Sequence, residues 1–122
     1  MLPHIYYQRY KNFATILEMM QQAVAAKPDA QSLRQSFLNA QQFFGQQIVS
    51  LDNNDLEPAD EPRVRSYQTE ISKQLQLLGI DVMFLQAARQ QQTATLRQNQ
   101  IHLRLQTLIS YCNAIMEGTR GV

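Results

Sequence analysis

The chain has 122 residues, a net charge of +1, 44% hydrophobic residues and one cysteine. That hydrophobic content is enough for the core of one domain, 1–122, and it excludes a chain that is disordered throughout. The near-zero charge argues against strong attraction to nucleic acid or membranes, and a lone cysteine excludes an intramolecular disulfide and is typical of the cytoplasm. The longest apolar run, "VMFL", is too short for membrane insertion.

Two helices are predicted in the first part of the chain, at about 4–26 and 30–51. In both, apolar residues recur every three or four positions, which is the pattern of one buried helix face. Pro28 disfavours helical geometry at the residue before it, and Asp29 is the predicted N-cap of the second helix. The two predicted core faces are Tyr6, Tyr10, Phe13, Leu17, Met20 and Val24, then Leu33, Phe37, Ala40, Phe44, Ile48 and Leu51.

An acidic loop is predicted at 52–61, because this segment holds five of the ten acidic residues together with several turn-forming residues. We expect the loop to be solvated. Pro62 suits the first turn of the third helix, with Asp60 or Glu61 near the positive end of the helix dipole.

The third and fourth helices are predicted at about 62–91 and 95–117. The segment "RQQQTAT" is the predicted turn between them, with Thr93 or Thr95 as cap, and Gly118 is the predicted stop. Four amphipathic helices joined by two short connections and one longer one predict an all-α, antiparallel four-helix bundle. Two helical hairpins completed by a second chain are the alternative. The predicted core faces are Val64, Tyr67, Ile71, Leu75, Leu78, Val82 and Leu85, then Ile101, Leu105, Leu108, Cys112 and Ile115.

A second apolar stripe runs along the C-terminal half of the third helix, away from the core face. It consists of Leu77, Ile80, Phe84 and Ala88, with Met83 beside it. A helix that is apolar on two sides either packs centrally or is covered by a partner. The sequence therefore leaves open whether this stripe is core or interface.

Asp81 falls between the two stripes and should be half covered. With a turn near Thr93, it lies broadly level with His102 and Gln106. Three interpretations remain: a carboxylate held by a neighbouring donor, a partner-contact residue, or a catalytic acid. The third has the least support, because no second acid, lysine or nucleophile lies near it in sequence.

No pattern of metal ligands, no phosphate-binding loop and no nucleophile motif is present, so we predict a protein that is not an enzyme and has no metal or cofactor. A small DNA-associated regulator is the alternative function, because three arginines precede or line the fourth helix: Arg89, Arg97 and Arg104. Three arginines without a recognisable DNA-binding motif are weak evidence for nucleic-acid binding. A ligand-binding bundle would need a cavity near Tyr10 and Cys112.

Four segments resemble the cyanobacterial heterocyst frequency control protein family, PatD: "MLP", "QQFFGQQIVSLD", "VRSYQTEISKQLQLLGIDVMFLQAARQ" and "LISYC". The resemblance covers nearly the whole chain. It implies a developmental regulator that influences how often cells become heterocysts, and that binds the tubulin-like division protein FtsZ and modulates its polymer assembly. It implies no particular binding residues.

The helical-wheel pattern alone supplies the candidate surface for a partner or for a homodimer. Together with the exposed position of Leu103, the second stripe leaves more apolar surface than a minimal bundle needs. The predicted surface residues are Leu77, Ile80, Asp81, Met83, Phe84, Ala88, Arg89, Arg97 and Arg104.

Overall fold

The computed structural model describes residues 2–26 and 29–120. For residue 30 and for 118–120 it describes the backbone alone. It contains four α-helices, which we label α1 (His4–Ala25), α2 (Ala30–Phe43), α3 (Glu61–Ala87) and α4 (Gln91–Arg120). A π-helical segment, Phe44–Ile48, continues α2, and a short 3₁₀ helix, Asn53–Asp55, lies in the acidic loop. The described residues form no strand.

The helices pack as an antiparallel four-helix bundle whose sides are α1–α2, α2–α3, α3–α4 and α4–α1. The contacts between α3 and α4 show that these helices are antiparallel. The Tyr67 ring packs against the Tyr111 ring, and Arg63, earlier in α3, donates to the carbonyl of Ala114, later in α4. Because α1 packs against α4, one chain closes the core by itself. The bundle prediction is confirmed, and the alternative of hairpins completed by a second chain is wrong.

The core contains the residues that helical spacing predicted, because each helix turns its apolar stripe inward. All six predicted core residues of α1 and all five of α4 are buried. In the other two segments Phe37, Leu51, Tyr67 and Leu85 are only partly buried, at the margins of the core. Ile109 joins the core in addition.

The end of the second helix differs from the prediction. The α-helix stops at Phe43, and the Val49 N–H donates to the carbonyl of Phe44 at 2.9 Å, a bond that spans five residues rather than four. Arg9 of α1 donates to the Gln47 carbonyl at 3.0 Å and so satisfies a backbone acceptor in this widened turn. The spacing of its apolar residues does not distinguish this segment from ordinary α-helix.

The turn between α3 and α4 also lies elsewhere than predicted. Helix α3 ends at Ala87 because Ala88 adopts an extended conformation, and α4 already begins at Gln91. Thr93 and Thr95 therefore lie inside α4 rather than capping it. Gly118 does not stop the helix either, since α4 continues to Arg120.

The predicted starts of α1, α2 and α3 agree with the structure to within about one residue, in contrast to that of α4. The Asp29 carboxylate accepts from the Ser32 N–H at 2.7 Å, as an N-cap should. This hydrogen bond lowers the pKa of Asp29. Pro62 lies in the first turn of α3, with Glu61 beside it. The predicted break at Lys27 and Pro28 lies outside the described residues.

Part of the acidic loop is tied to the bundle. Leu56 is buried, and Asn53 joins a hydrogen-bond chain with helices α1 and α3. The expectation of a wholly solvated loop is therefore wrong. Of the helices described, none combines the length and apolar character needed to cross a lipid bilayer.

Candidate functional site

Asp81 is the one charged residue whose burial in the described part of the chain approaches that of the core. Its side chain is 6% exposed, and Arg104 of α4 donates from Nε to its Oδ2 at 2.6 Å. The interpretation of a carboxylate held by a neighbouring donor is confirmed, and the expectation of half coverage is wrong. A buried carboxylate requires such a partner, because desolvating an unpaired charge is costly.

Arg104 also donates a hydrogen bond to a second residue of α3. Its Nη1 donates to Gln74 Oε1 at 2.9 Å, while the side chain remains 15% exposed. Gln74 and Asp81 are two helical turns apart on α3, so they present their oxygens along the same side of that helix. Arg104 therefore lies between α3 and α4 as a structural cation.

The neighbours of Asp81 differ from those predicted. The turn at Ala88–Gln90 brings Arg97 and Arg104 to its level, whereas His102 is exposed and Gln106 accepts a hydrogen bond from Gln21 of α1. The signal that could have found the pair is the seven-residue spacing of the two arginines, which puts both on one face of α4.

Arg97 occupies a different environment from Arg104. Its Nη1 is 3.9 Å from Asp81 Oδ1, and its guanidinium carbon lies 4.5 Å from the centre of the Phe84 ring. The side chain is 38% exposed. Arg97 thus holds a cation–π contact with Phe84 while remaining open to solvent.

The second apolar stripe is surface rather than core. Ile80 is 45% and Phe84 48% exposed, and Leu77 is half-buried. Leu96 and Leu103, two turns apart on α4, are exposed at 64% and 62%. Helical spacing puts these side chains on the outer side of the α3–α4 pair, and Arg97 over Phe84 connects the two helices. We call this set of five residues, Leu77, Ile80, Phe84, Leu96 and Leu103, the α3–α4 apolar face.

The structure separates the other predicted surface residues from this face. Met83 is exposed but lines a groove of about 300 Å³ between α2 and α3, together with Phe37 and Leu38. Ala88 is half-buried and Arg89 exposed in the turn. The predicted set therefore divides into three residues of the apolar face with Arg97 beside them, one buried ion pair, two residues of the turn and one residue of a neighbouring groove.

The segment that carries the α3–α4 apolar face has a surplus of positive charge, bounded by Glu70 before it and Glu117 after it. Between Ile71 and Met116 the sequence has four Lys and Arg residues and one acid, Asp81, a net charge of 4 − 1 = +3. The rest of the chain has seven cations and nine acids, a net charge of −2. Because Arg104 is engaged with Asp81, the open cations of this region are Lys73, Arg89 and Arg97.

A polar cluster at the opposite end of the bundle was missed from the sequence. Tyr6 donates its hydroxyl to Asn53 Oδ1 at 2.7 Å, and Asn53 Nδ2 donates to Gln68 Oε1 at 3.1 Å. The Tyr10 hydroxyl and Gln68 Nε2 are buried and face each other without meeting hydrogen-bond geometry. Burial raises the pKa of Tyr10, and it raises that of the Cys112 thiol to about 12. Burial thus favours the neutral forms of the Tyr10 hydroxyl and the Cys112 thiol.

Among the residues that the structure describes, no three of His, Cys, Asp or Glu come close enough together to hold a metal ion. Comparison with protein-family models, with curated proteins and with solved structures gave no match to this chain. The α3–α4 apolar face offers exposed apolar side chains, a surplus of positive charge and Arg97, whose guanidinium lies over the Phe84 ring.

Proposed function

We propose that the chain is a non-enzymatic regulator that binds a protein partner in the cytoplasm through the α3–α4 apolar face. One observation supports this most directly: large apolar side chains are exposed on both helices of a bundle that is already closed. The core does not need them, and adjacent exposed apolar residues of this kind typically mark an interaction surface.

The sequence resemblance supplies the identity of the partner. By resemblance to the PatD family, the partner is FtsZ, and binding modulates its polymer assembly and so influences heterocyst frequency. A homodimer of the bundle would carry two copies of the face. Such a dimer could bridge two filaments, because the second contact then forms at a high effective concentration. Sedimentation velocity distinguishes a monomer from a dimer.

A DNA-associated regulator is the less favoured function. It would use Arg89, Arg97 and Arg104, but the charge of Arg104 is already balanced by Asp81. Exposed leucine and phenylalanine side chains also contribute nothing to phosphate contacts. A gel shift at two salt concentrations tests this alternative, since binding through phosphates weakens steeply with salt.

Co-sedimentation with FtsZ polymers tests the proposal. The variant is Ile80→Ser/Phe84→Ser, which removes apolar area from the face without touching the Asp81–Arg104 pair. The matched control is Met19→Ser on α1, where the side chain is 64% exposed. We expect the double variant to fold and to lose co-sedimentation, while the control keeps it. Equal co-sedimentation of both variants would refute the proposed surface.

A further inference from the structure

We infer that Arg97 is the anchoring residue of the α3–α4 apolar face and that this face binds an acidic amphipathic helix of a partner protein. The inference rests on the proposed function, and it adds the chemistry of the bound segment. A carboxylate of the partner pairs with Arg97, and apolar side chains of the same helix pack on the leucine, isoleucine and phenylalanine side chains around it.

The positive charge of Arg97 is only partly balanced by groups within the bundle. Asp81 Oδ2 lies 2.6 Å from Nε of Arg104, whereas Asp81 Oδ1 lies 3.9 Å from Nη1 of Arg97. Arg104 is therefore the principal counter-ion of Asp81. The Asp81 carboxylate faces two guanidinium groups, so Asp81, Arg97 and Arg104 together carry a net charge of about +1. Arg97, at 38% exposure, is the more open of the two. A second carboxylate, from outside, would complete this charge balance.

The side chain of Arg97 is already held in position. The Phe84 ring supports one side of the guanidinium at 4.5 Å, and Asp81 attracts one edge. A cation so restrained loses less conformational entropy on binding than a free surface arginine such as Arg89 in the turn. Arginines next to aromatic side chains at the centre of an apolar patch are frequent hot spots of protein interfaces.

The surroundings of Arg97 favour a helix as the bound segment. Ile80 and Phe84 are one turn apart on α3, and Leu96 and Leu103 are two turns apart on α4. Apolar side chains that are exposed on two adjacent antiparallel helices suit the apolar stripe of a third helix laid across them. The net charge of +3 between Ile71 and Met116 selects acidic residues at the edges of that stripe.

A second copy of this chain fits the face less well. Its acidic segment, 52–61, offers carboxylates, but Leu56, the one large aliphatic residue there, is buried. That segment could satisfy Arg97 while leaving the leucine and phenylalanine side chains of the face uncovered. Self-association is therefore an outcome that the experiment must distinguish.

The direct test uses two synthetic helical peptides with the full-length chain. Both carry leucine at alternating three- and four-residue steps; one has glutamate at the flanking positions, and its matched partner has lysine. Binding of fluorescently labelled peptide is followed by anisotropy at low and moderate salt. We expect the acidic peptide to bind more tightly than the basic one, with an affinity that falls as salt rises.

Substitutions of the arginines decide the role of Arg97. We expect Arg97→Gln to weaken binding of the acidic peptide about tenfold and Arg89→Gln less than about threefold. Arg97→Glu should instead favour the basic peptide. Equal affinity for the two peptides, or an unchanged affinity in Arg97→Gln, overturns the inference. If Arg97→Gln lowers the urea midpoint, Arg97→Lys, which keeps the charge without the planar contact, decides by retaining part of the affinity.

The FtsZ assay separates this inference from the proposed function. If Arg97→Gln still co-sediments with FtsZ as the natural chain does, the function stands and the anchoring role falls. If the acidic peptide binds as expected but FtsZ does not, the role of Arg97 stands and the assignment of the partner falls. Concentration-dependent sedimentation that is lost in Arg97→Gln would identify a second copy as the occupant and overturn the partner helix.

Discussion

Two arginines one heptad apart carry the same charge but have different tasks. Arg104 is buried between α3 and α4, where it neutralises Asp81 and donates to Gln74. Arg97, on the same face of α4, lies over Phe84 at the surface. The difference comes from burial: a buried cation balances a buried anion, whereas an open one is available to a partner.

Removing Arg104 should strongly destabilise the fold. Arg104→Leu leaves the Asp81 carboxylate buried without its main counter-ion, and we expect a loss of about 3 kcal/mol in the free energy of unfolding. Urea denaturation measures this loss. Arg89→Leu, at an exposed position, is the control and should change stability by less than about 0.5 kcal/mol.

The double variant Asp81→Leu/Arg104→Leu checks the cause. Because it removes both charges, most of the lost stability should return. If Arg104→Leu costs no more than Arg89→Leu, the pair does not contribute to stability as described.

The two buried tyrosines of α1 offer a second comparison at the residue scale. Tyr6 makes a 2.7 Å hydrogen bond to Asn53, whereas the Tyr10 hydroxyl is buried with no hydrogen-bond partner. We expect Tyr6→Phe to cost about 1 kcal/mol and Tyr10→Phe to leave the unfolding free energy unchanged or to raise it. A larger loss in Tyr10→Phe than in Tyr6→Phe, measured by the same urea denaturation, would contradict the assignment.

At the scale of elements, the helix faces follow directly from residue spacing, and most of the core was predictable for that reason. The ends of the helices were not all predictable. The turn at Ala88–Gln90 has no glycine or proline, and its alanine, arginine and glutamine are all good helix formers, so nothing local marks it. The π-helical segment Phe44–Ile48 is likewise indistinguishable from α-helix in its apolar pattern.

The misplaced turn had a consequence for the candidate site. Because the turn lies at Ala88–Gln90 rather than near Thr93, the partners of Asp81 are Arg104 and Arg97 instead of the predicted His102 and Gln106. A shift of a few residues at a helix end changes which side chains meet across a hairpin. The apolar face itself was predictable from spacing, but its separation from Met83 required the position of α2.

Two glycines inside helical segments allow a test of how α2 and α3 pack. A Cβ on Gly79 would lie 2.7 Å from Cζ of Phe37, whereas one on Gly45 would meet nothing within 4 Å. We expect Gly45→Ala to stabilise the fold by about 0.5–1 kcal/mol through its higher helix propensity. Gly79→Ala should instead destabilise it by about 1 kcal/mol, because the Phe37 ring must shift.

A smaller ring neighbour should reverse the effect at Gly79. In a Phe37→Leu background, thermal unfolding should show Gly79→Ala to be neutral or stabilising, because the close approach is relieved. Equal stabilisation by Gly45→Ala and Gly79→Ala in the natural background would mean that Phe37 does not pack against Gly79.

At the scale of the whole molecule, charge and exposed apolar area coincide in one region. The C-terminal half of α3 and most of α4 carry the surplus of cations, and the acidic segment 52–61 lies at the other end of the bundle, beside the start of α3. An acidic partner would be attracted to one side of the bundle and repelled from the other, which orients the encounter before contacts form.

The central claim is that the α3–α4 apolar face binds the partner, and amide chemical-shift mapping of the ¹⁵N-labelled chain with unassembled FtsZ tests it most directly. We expect the shifted or broadened amides to cluster between Leu77 and Arg104, and those around Met19 in α1 to stay unchanged. Perturbations confined to α1 and α2, or no perturbation at saturating FtsZ, would contradict the account.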